Sequence, residues 1–116
     1  MSVNLRHTQA LRLWQTVTLD EVRAGQPDLS MRQAAILLTI YLDPPPHTVR
    51  GLAAALNVTK PVITRALDTM GALKLVTRHR DEGDRRNVLV RRTIEGALYV
   101  ERFGDVIIAK GLELPI

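Results

Sequence analysis

The chain has 116 residues, of which 46% are hydrophobic, and it carries a formal net charge of +4 and no cysteine. This length and apolar fraction are typical of one globular domain with its own core, and they argue against a disordered chain. The lack of cysteine excludes a disulfide framework, a thiolate metal site and a cysteine nucleophile within these residues. We therefore expect a single domain over residues 1–116.

The sequence shows no pattern for export or membrane insertion. Its N-terminus lacks a basic flank followed by an apolar stretch of signal-peptide length. The most apolar run, residues 34–42, contains Thr39 and is far too short to span a bilayer. We therefore expect a soluble cytoplasmic protein that does not contact a membrane.

The first predicted helix covers residues 5–23, where apolar residues recur at spacings of three to five with polar residues between them. Gly25 and Pro27 end this helix, because neither residue favours a helical backbone. The apolar positions that set the period are Leu11, Trp14, Val17 and Val22.

The second predicted helix covers residues 31–42 and is apolar on most sides, which favours a central position in the core. Ser30 begins it as the N-cap, and Gln33 completes a capping box. The three prolines at 44–46 cannot continue a helix, so they predict a stiff extended connection.

Two short helices with a tight turn between them predict a helix-turn-helix unit. Thr48 caps the third helix, residues 49–56, and Thr59 caps a fourth that reaches about residue 73. Residues 57–58 form the turn. The side chains expected to face the core are those of Leu52, Ala53, Leu56, Val58, Ile63 and Leu67. The side chains expected to face outward are those of Thr59, Lys60, Pro61, Thr64, Arg65 and Asp68.

A β-hairpin and a last helix follow this unit. Residues 75–79 and 87–91 predict two strands, and the loop between them contains Gly83, which permits a positive φ. Thr93 caps the last helix. The expected fold class is therefore mainly α with a small β-hairpin wing, a winged helix-turn-helix whose lobe covers residues 30–92.

Positive charge is concentrated in residues 59–92, which hold nine of the 16 Lys and Arg residues against four acidic residues, a local net charge of +5. Such a concentration on one helix and one hairpin is the electrostatic footprint of a duplex-binding surface. The sequence therefore predicts that this lobe binds double-stranded DNA. The residues expected to contact DNA are Thr48, Thr59, Lys60, Pro61, Thr64, Arg65, Arg78, Arg80, Arg85 and Arg86.

The fourth helix carries the candidate base reader, Arg65, because a guanidinium matches two acceptors of one guanine. Thr59 and Lys60 suit phosphate at the helix N-terminus. Thr64 is small enough to let the helix lie deep, against a thymine methyl group or a phosphate. The alternative for Arg65 is an ion pair with Asp68 on the same helix, worth only about a few tenths of a kcal/mol.

The hairpin loop carries Arg80, Arg85 and Arg86, and arginines at such a tip suit the minor groove or its flanking phosphates. Asp81 and Asp84 are out of place beside phosphate. We expect both carboxylates to hydrogen-bond the loop and brace the neighbouring arginines, so that either Arg85 or Arg86 points inward to a carboxylate.

No pattern of a catalytic or metal site stands out. His7, His47 and His79 are far apart and lack the spacing of metal ligands. The acidic residues at 81, 82 and 84 resemble a metal-dependent nuclease cluster, but they lie beside four arginines without a positioned water activator. We therefore predict a protein that is not an enzyme and has no metal and no cofactor.

The order of these motifs resembles the MarR family of bacterial transcription factors, over roughly residues 30–100. The resemblance is carried by Leu52-Ala53, by the runs 58–68 and 75–78, by the wing 81–86 (Asp-Glu-Gly-Asp-Arg-Arg) and by 93–96 (Thr-Ile-Glu-Gly). It implies a sequence-specific regulator that acts at the nucleoid and binds a palindrome. The helix at about 60–73 would enter the major groove. A wing arginine, Arg85 or Arg86, would reach the minor groove, braced by Asp81 or Asp84.

Three positions depart from the family pattern. Gly83 stands where the family often has another basic residue, so the wing tip is less charged. Lys74 replaces a frequent glycine between the fourth helix and the first strand, so a different turn is expected there. Arg92 stands where an apolar residue usually precedes the capping threonine.

The resemblance also implies a homodimer, formed by the terminal helices over residues 5–24 and 93–116. A small-molecule effector, an aromatic acid, would lie in a cleft between the dimer region and the DNA-binding lobe. His7, Arg12, Trp14 and Tyr41 are candidates for its lining, although ordinary core is the favoured place for Trp14, and no ligand-binding residue is assigned. The alternative function is a winged-helix protein-interaction module that binds a partner protein through its apolar C-terminal helix.

Overall fold

The computed structural model describes residues 4–25 and 27–115. Within these ranges the chain forms five helices and three short strands. In chain order they are α1 (His7–Arg23), α2 (Met31–Leu42), β1 (His47–Thr48), α3 (Val49–Leu56), α4 (Lys60–Ala72), β2 (Val76–Arg80), β3 (Val88–Arg92) and α5 (Ile94–Leu112). The chain divides into two compact units: Met1–Asp28 with Glu101–Ile116, and Leu29–Val100. No helix in the part of the chain described here is long and apolar enough to cross a membrane.

The unit Leu29–Val100 is built around α2. Ile36, Leu37 and Ile40 of this helix are at most 2% exposed, which confirms its predicted central place in the core. The buried residues packed with them come from α3, α4, β2 and β3 and the turn before β2; they are Leu52, Ala53, Ile63, Ala66, Leu67, Met70, Leu75, Val76 and Val90. Aliphatic side chains therefore supply this core, because the sequence contains only four aromatic residues.

The three strands form one antiparallel sheet in the order β1-β3-β2. In β2 and β3, Val76 pairs with Arg92 and Arg80 pairs with Val88. Both strands begin and end one residue later than predicted. The two-residue strand β1, which pairs with β3, was not predicted.

Three of the four predicted helix caps on this unit are confirmed. The Ser30 hydroxyl accepts from the Gln33 N–H at 3.1 Å, as predicted for a capping box. The hydroxyls of Thr48 and Thr93 each accept the backbone N–H of the residue three positions further on, Gly51 and Gly96, both at 2.9 Å. These bonds satisfy N–H groups that have no partner inside the helix.

The fourth predicted cap, a hydrogen bond to the Thr59 hydroxyl, is not formed, so this prediction is wrong. Thr59 occupies the N-cap position of α4 with an extended backbone, but its hydroxyl makes no capping bond. Pro61 at the second helical position has no N–H, so only the N–H at the third position could bond a capping hydroxyl. The next N–H, that of Val62, bonds to the carbonyl of Thr59 at 3.1 Å. The hydroxyl of Thr59 is therefore not used inside the helix.

Tyr41 and Arg92 join four elements of this unit. The Tyr41 hydroxyl lies 2.8 Å from the Leu75 carbonyl oxygen and accepts the Thr93 N–H at 3.0 Å. Arg92 donates through Nε to the Ile40 carbonyl at 2.8 Å, near the end of α2, with its guanidinium 5.7 Å from the centre of the Tyr41 ring. The Arg92 guanidinium thus supplies donors to carbonyls that a helix end leaves open.

The other unit contains α1 and the C-terminal part of α5. Val17 of α1 is 1% exposed. Glu21, which is also buried, accepts both terminal nitrogens of Arg102 at 3.2 and 3.3 Å. At the opposite end of α1, the Gln9 side chain donates to the Pro115 carbonyl at 2.9 Å. These contacts place the two segments antiparallel to each other.

Two expectations for α1 are corrected. The helix begins at His7, two residues later than predicted. Trp14, for which ordinary core was favoured, is 50% exposed, and Leu11 and Val22 are exposed as well. The helical period correctly identified one apolar face, but only Val17 among the four apolar positions that set it lies in the core of its own unit.

Candidate nucleic-acid interface

The turn between α3 and α4 fixes the helix-turn-helix unit. Asn57 ends α3 in the left-handed region, with φ +56° and ψ +47°. Its N–H bonds to the Ala54 carbonyl at 3.2 Å, and the Val58 N–H bonds to the Ala53 carbonyl at 3.0 Å. This pair of bonds is the Schellman arrangement, which satisfies the last carbonyls of a helix. The predicted tight turn at residues 57–58 is therefore confirmed.

α4 has one buried face and one exposed face, as predicted. Ile63 and Leu67 have no exposed surface, and Leu56 and Val58 pack against the same core from α3 and the turn. The opposite face is exposed, and it presents the side chains of Thr59, Lys60, Pro61, Thr64, Arg65 and Asp68. Because the buried face holds the helix on the core, the exposed face is presented on a rigid element.

Two exposed cations on α4 have no ion-pair partner among the described residues. Lys60 and Arg65 are exposed, and neither forms an ion pair with any residue that the structure describes. The alternative pair of Arg65 with Asp68 is not formed. Asp68 instead contacts Arg78 of β2, with Nη2 and Oδ1 at 2.8 Å. Arg65 thus keeps its donors available.

The Asp68–Arg78 pair ties α4 to the base of the wing. The two side chains are 59% and 34% exposed, so the pair is worth only about 0.2–1 kcal/mol. The pair adds little stability, but it links the exposed face of α4 to β2. Arg78 was predicted to contact DNA, and the structure gives its guanidinium a protein partner instead of leaving it free.

The wing loop is organised by its two aspartates. Asp81 accepts the Gly83 N–H at 2.9 Å, and Asp84 accepts the Arg86 N–H at 3.1 Å and the Arg86 Nε at 3.2 Å. These are the side-chain-to-backbone bonds by which aspartate shapes turns. Arg86 is the arginine held by a carboxylate, but its side chain is 85% exposed and does not point inward.

Gly83 does not adopt the positive φ that glycine permits. Among the glycines in the described ranges only Gly25 adopts such a φ, at +71°. The bond to Asp81 shapes the turn with an ordinary backbone at this position. By contrast, Lys74 adopts a φ of +64°, so it takes the left-handed conformation in place of the glycine common in related sequences. The Lys74 and Leu75 N–H groups bond to the Gly71 and Met70 carbonyls, which repeats the Schellman arrangement at the end of α4.

The remaining candidates lie around these elements. Arg80 at the end of β2 and Arg85 in the wing loop are exposed and form no ion pair within the described residues. Thr48 is half-buried and uses its hydroxyl oxygen as the cap of α3. Arg50, in the first turn of α3, is also exposed, and it was not among the residues predicted to contact DNA, because the charge concentration was counted only from residue 59.

No group of three or more His, Asp or Glu side chains in the described residues has the arrangement of a metal site. His47 lies with Nε2 3.1 Å from the Asp43 carbonyl oxygen, and His79 lies 3.1 Å from the Thr77 hydroxyl. Tyr41, considered for an effector cleft, has its hydroxyl bonded to backbone groups. His7, Arg12 and Trp14, considered with it, lie on α1.

Comparison with known proteins decides the family. The sequence model of the MarR family matches residues 28–87, which is more than half of the chain. The chain belongs to the MarR family. No curated protein matches it. Among solved structures, the transcriptional regulator BldR from Sulfolobus solfataricus is 30% identical, with 88% of this chain and 73% of that chain covered and a TM-score of 0.63.

Two other MarR-like structures have the same fold at lower identity. A MepR–DNA complex from S. aureus has a TM-score of 0.68 and 23% identity, with 89% of this chain and 78% of that chain covered. The transcriptional repressor CouR, bound to a 23-mer DNA duplex, has a TM-score of 0.73 and 20% identity, with 91% and 72% covered. The predicted MarR membership and the predicted winged helix-turn-helix fold are both confirmed.

Proposed function

We propose that this MarR-family regulator binds double-stranded DNA sequence-specifically and controls transcription by occupying promoter DNA as a homodimer. The observation that carries the proposal is the set of exposed cations on α4 and the wing that form no ion pair among the described residues: Lys60, Arg65, Arg80 and Arg85. An exposed cation that is not neutralised by a carboxylate can release counterions from a phosphate backbone. MepR and CouR, which share the fold, are solved with DNA.

In this proposal α4 enters the major groove and Arg65 reads a guanine edge. Thr59 and Lys60, with Pro61 beside them, contact phosphate at the start of the helix, and the hydroxyl of Thr59 is available because it does not cap. Thr64 lies one residue before Arg65 and allows a close approach to the bases.

The arginines of the wing have different roles in the proposal. Arg80 and Arg85 reach the minor groove or its phosphates, because neither has an ion pair in the described residues. Arg86 is pre-oriented by Asp84, and its high exposure keeps several guanidinium donors available. Arg78 positions the wing through Asp68, and Thr48 contributes phosphate contact at the start of α3. We assign no catalytic role to any side chain, and the regulator acts in the cytoplasm at the nucleoid.

The proposed dimer forms through the unit that contains α1 and the end of α5. Exposed apolar side chains cover this unit: Leu11, Trp14 and Val22 on α1, and Ile108 and Leu112 on α5. Several large apolar side chains exposed on one unit favour a protein interface there. A second copy pairing the same helices supplies two recognition helices, which a palindrome requires.

Fluorescence anisotropy with labelled duplexes tests the DNA proposal. About six phosphate contacts per bound unit give a slope near −5 when log K is plotted against log salt concentration. Genomic fragments recovered on the protein supply the specific duplex. Absence of salt-dependent binding to any duplex would refute the proposal, and light scattering then decides the alternative. A monomer that co-purifies with a different chain would favour the protein-interaction module.

A further inference from the structure

The exposed face of α4 carries one acidic side chain, that of Asp68, among the residues proposed to contact DNA. Asp68 follows Arg65 by three positions and Thr64 by four, so the three side chains lie on the same side of the helix. The Asp68 side chain is 59% exposed. In the proposed complex its carboxylate therefore faces the same major groove as the Arg65 guanidinium.

One oxygen of this carboxylate has a partner and the other is open. Oδ1 lies 2.8 Å from Nη2 of Arg78. The carboxylate makes no other ion pair or hydrogen bond with the residues that the structure describes, so Oδ2 keeps its lone pairs for a ligand. The guanidinium of Arg78 balances the negative charge, which lowers the repulsion between this face of α4 and phosphate groups.

The four bases differ in what they offer to a carboxylate in the major groove. Cytosine presents the N4 amino group, which is a donor. Guanine presents only the acceptors N7 and O6, thymine presents the acceptor O4, and adenine presents the acceptor N7 beside its N6 donor. An ionised carboxylate only accepts hydrogen bonds. Cytosine is therefore the base that it matches without meeting an acceptor.

We propose that Asp68 reads a cytosine through Oδ2, next to the guanine that Arg65 reads. The inference rests on the function proposed above and adds a second specificity-determining residue to α4. Three residues of helix rise about 4.5 Å, and base pairs are about 3.4 Å apart, so the two contacts fall on neighbouring base pairs. Asp68 also acts against other sequences, because an oxygen that loses water and meets an acceptor is left unpaired.

Selection from a library of randomised duplexes, followed by anisotropy on single-base variants of the selected duplex, tests the inference. At a position next to the selected guanine, the unmodified protein should prefer cytosine to thymine by about tenfold or more. Asp68→Ala should lose this preference and keep the guanine preference. Asp28→Ala is the matched control, since it removes an exposed carboxylate before α2 and changes the net charge equally. It should keep both preferences.

Three results would overturn the inference: a selected site without this cytosine, an unchanged cytosine preference in Asp68→Ala, or the same loss of preference in Asp28→Ala. A protein that selects no sequence at all would contradict the proposed function as well. A protein that selects a sequence whose base preferences do not depend on Asp68 would contradict only this inference.

Arg78→Gln separates base reading by Asp68 from a positioning role. This variant removes the partner of Oδ1 and leaves the Asp68 carboxylate in place. We expect weaker binding to every duplex, because the negative charge is no longer balanced, with the cytosine preference retained. If Arg78→Gln loses the cytosine preference as completely as Asp68→Ala does, Asp68 acts only through Arg78 and the inference is wrong.

Discussion

Gly96, in the first turn of α5, lies where the backbone cannot accept a side chain. A Cβ added at this position would overlap the Tyr41 hydroxyl and the Leu75 carbonyl oxygen. The Tyr41 hydroxyl is itself bonded to Leu75 and Thr93, so it has no free direction in which to move. The substitution Gly96→Ala must therefore displace either α5 or the tyrosine.

The expected cost follows from these contacts. Overpacking of a filled site costs about 1–3 kcal/mol. Loss of a hydrogen bond that leaves half-buried partners unpaired adds about 1–3 kcal/mol. The better helix propensity of alanine returns at most about 1 kcal/mol. We expect Gly96→Ala to lower the free energy of unfolding by about 3 kcal/mol.

Urea unfolding followed by circular dichroism measures this change, at one fixed protein concentration because the proposed dimer would make stability depend on concentration. Gly71→Ala is the matched control. Gly71 lies in α4, and a Cβ there has no neighbour within 4 Å. We expect this control to raise stability by up to about 1 kcal/mol. If Gly96→Ala is as stable as the unmodified protein, the close packing of Tyr41 against α5 is wrong.

Three further substitutions follow from the geometry. Lys74→Gly removes a left-handed lysine, and we expect urea unfolding to show a gain of about 0.5–1 kcal/mol; a loss would contradict the φ of this residue. Gly83→Lys places a cation on an unstrained wing position of each subunit, so anisotropy should show tighter DNA binding and a salt slope steeper by about 1.8 for the proposed dimer, whereas weaker binding would argue against a wing facing DNA. Trp14→Glu puts a charge on the exposed apolar face of α1, and light scattering should show that it shifts the proposed dimer toward monomer. Ala10→Glu adds the same charge at another exposed position of α1 and is the control for a general charge effect. An unchanged dimer for Trp14→Glu would exclude Trp14 from the interface.

Local signals in the sequence predicted the frame of the fold. The caps at Ser30, Thr48 and Thr93 depend on residues three positions away, so the sequence contains all the information they need. The strand β1 was not predicted, because two residues carry no periodic signal and their pairing with β3 joins positions about forty residues apart. Thr59 shows the limit of a local rule, since the N–H three residues further on, that of Val62, is present but bonds to the Thr59 carbonyl and not to its hydroxyl.

The count of charges predicted which lobe carries the basic surface, but it did not predict which of its arginines bond to other parts of the protein. Arg78 meets Asp68 across the space between a strand and a helix, and Arg92 reaches carbonyls at the end of α2. Both partnerships are tertiary, so neither follows from spacing along the chain. The exposure of Trp14 was missed for a related reason. A helical period identifies an apolar face, but it does not say whether that face meets its own core or another subunit.

The most direct test of the account compares Arg65→Ala and Lys60→Ala on two duplexes, one selected from genomic fragments and one of random sequence, at a single salt concentration. If Arg65 reads a base, its removal should cost about 1–3 kcal/mol on the selected duplex and much less on the random one. Lys60→Ala should weaken both duplexes alike, because phosphate carries no sequence information. Equal losses on the two duplexes for Arg65→Ala would contradict sequence reading by α4.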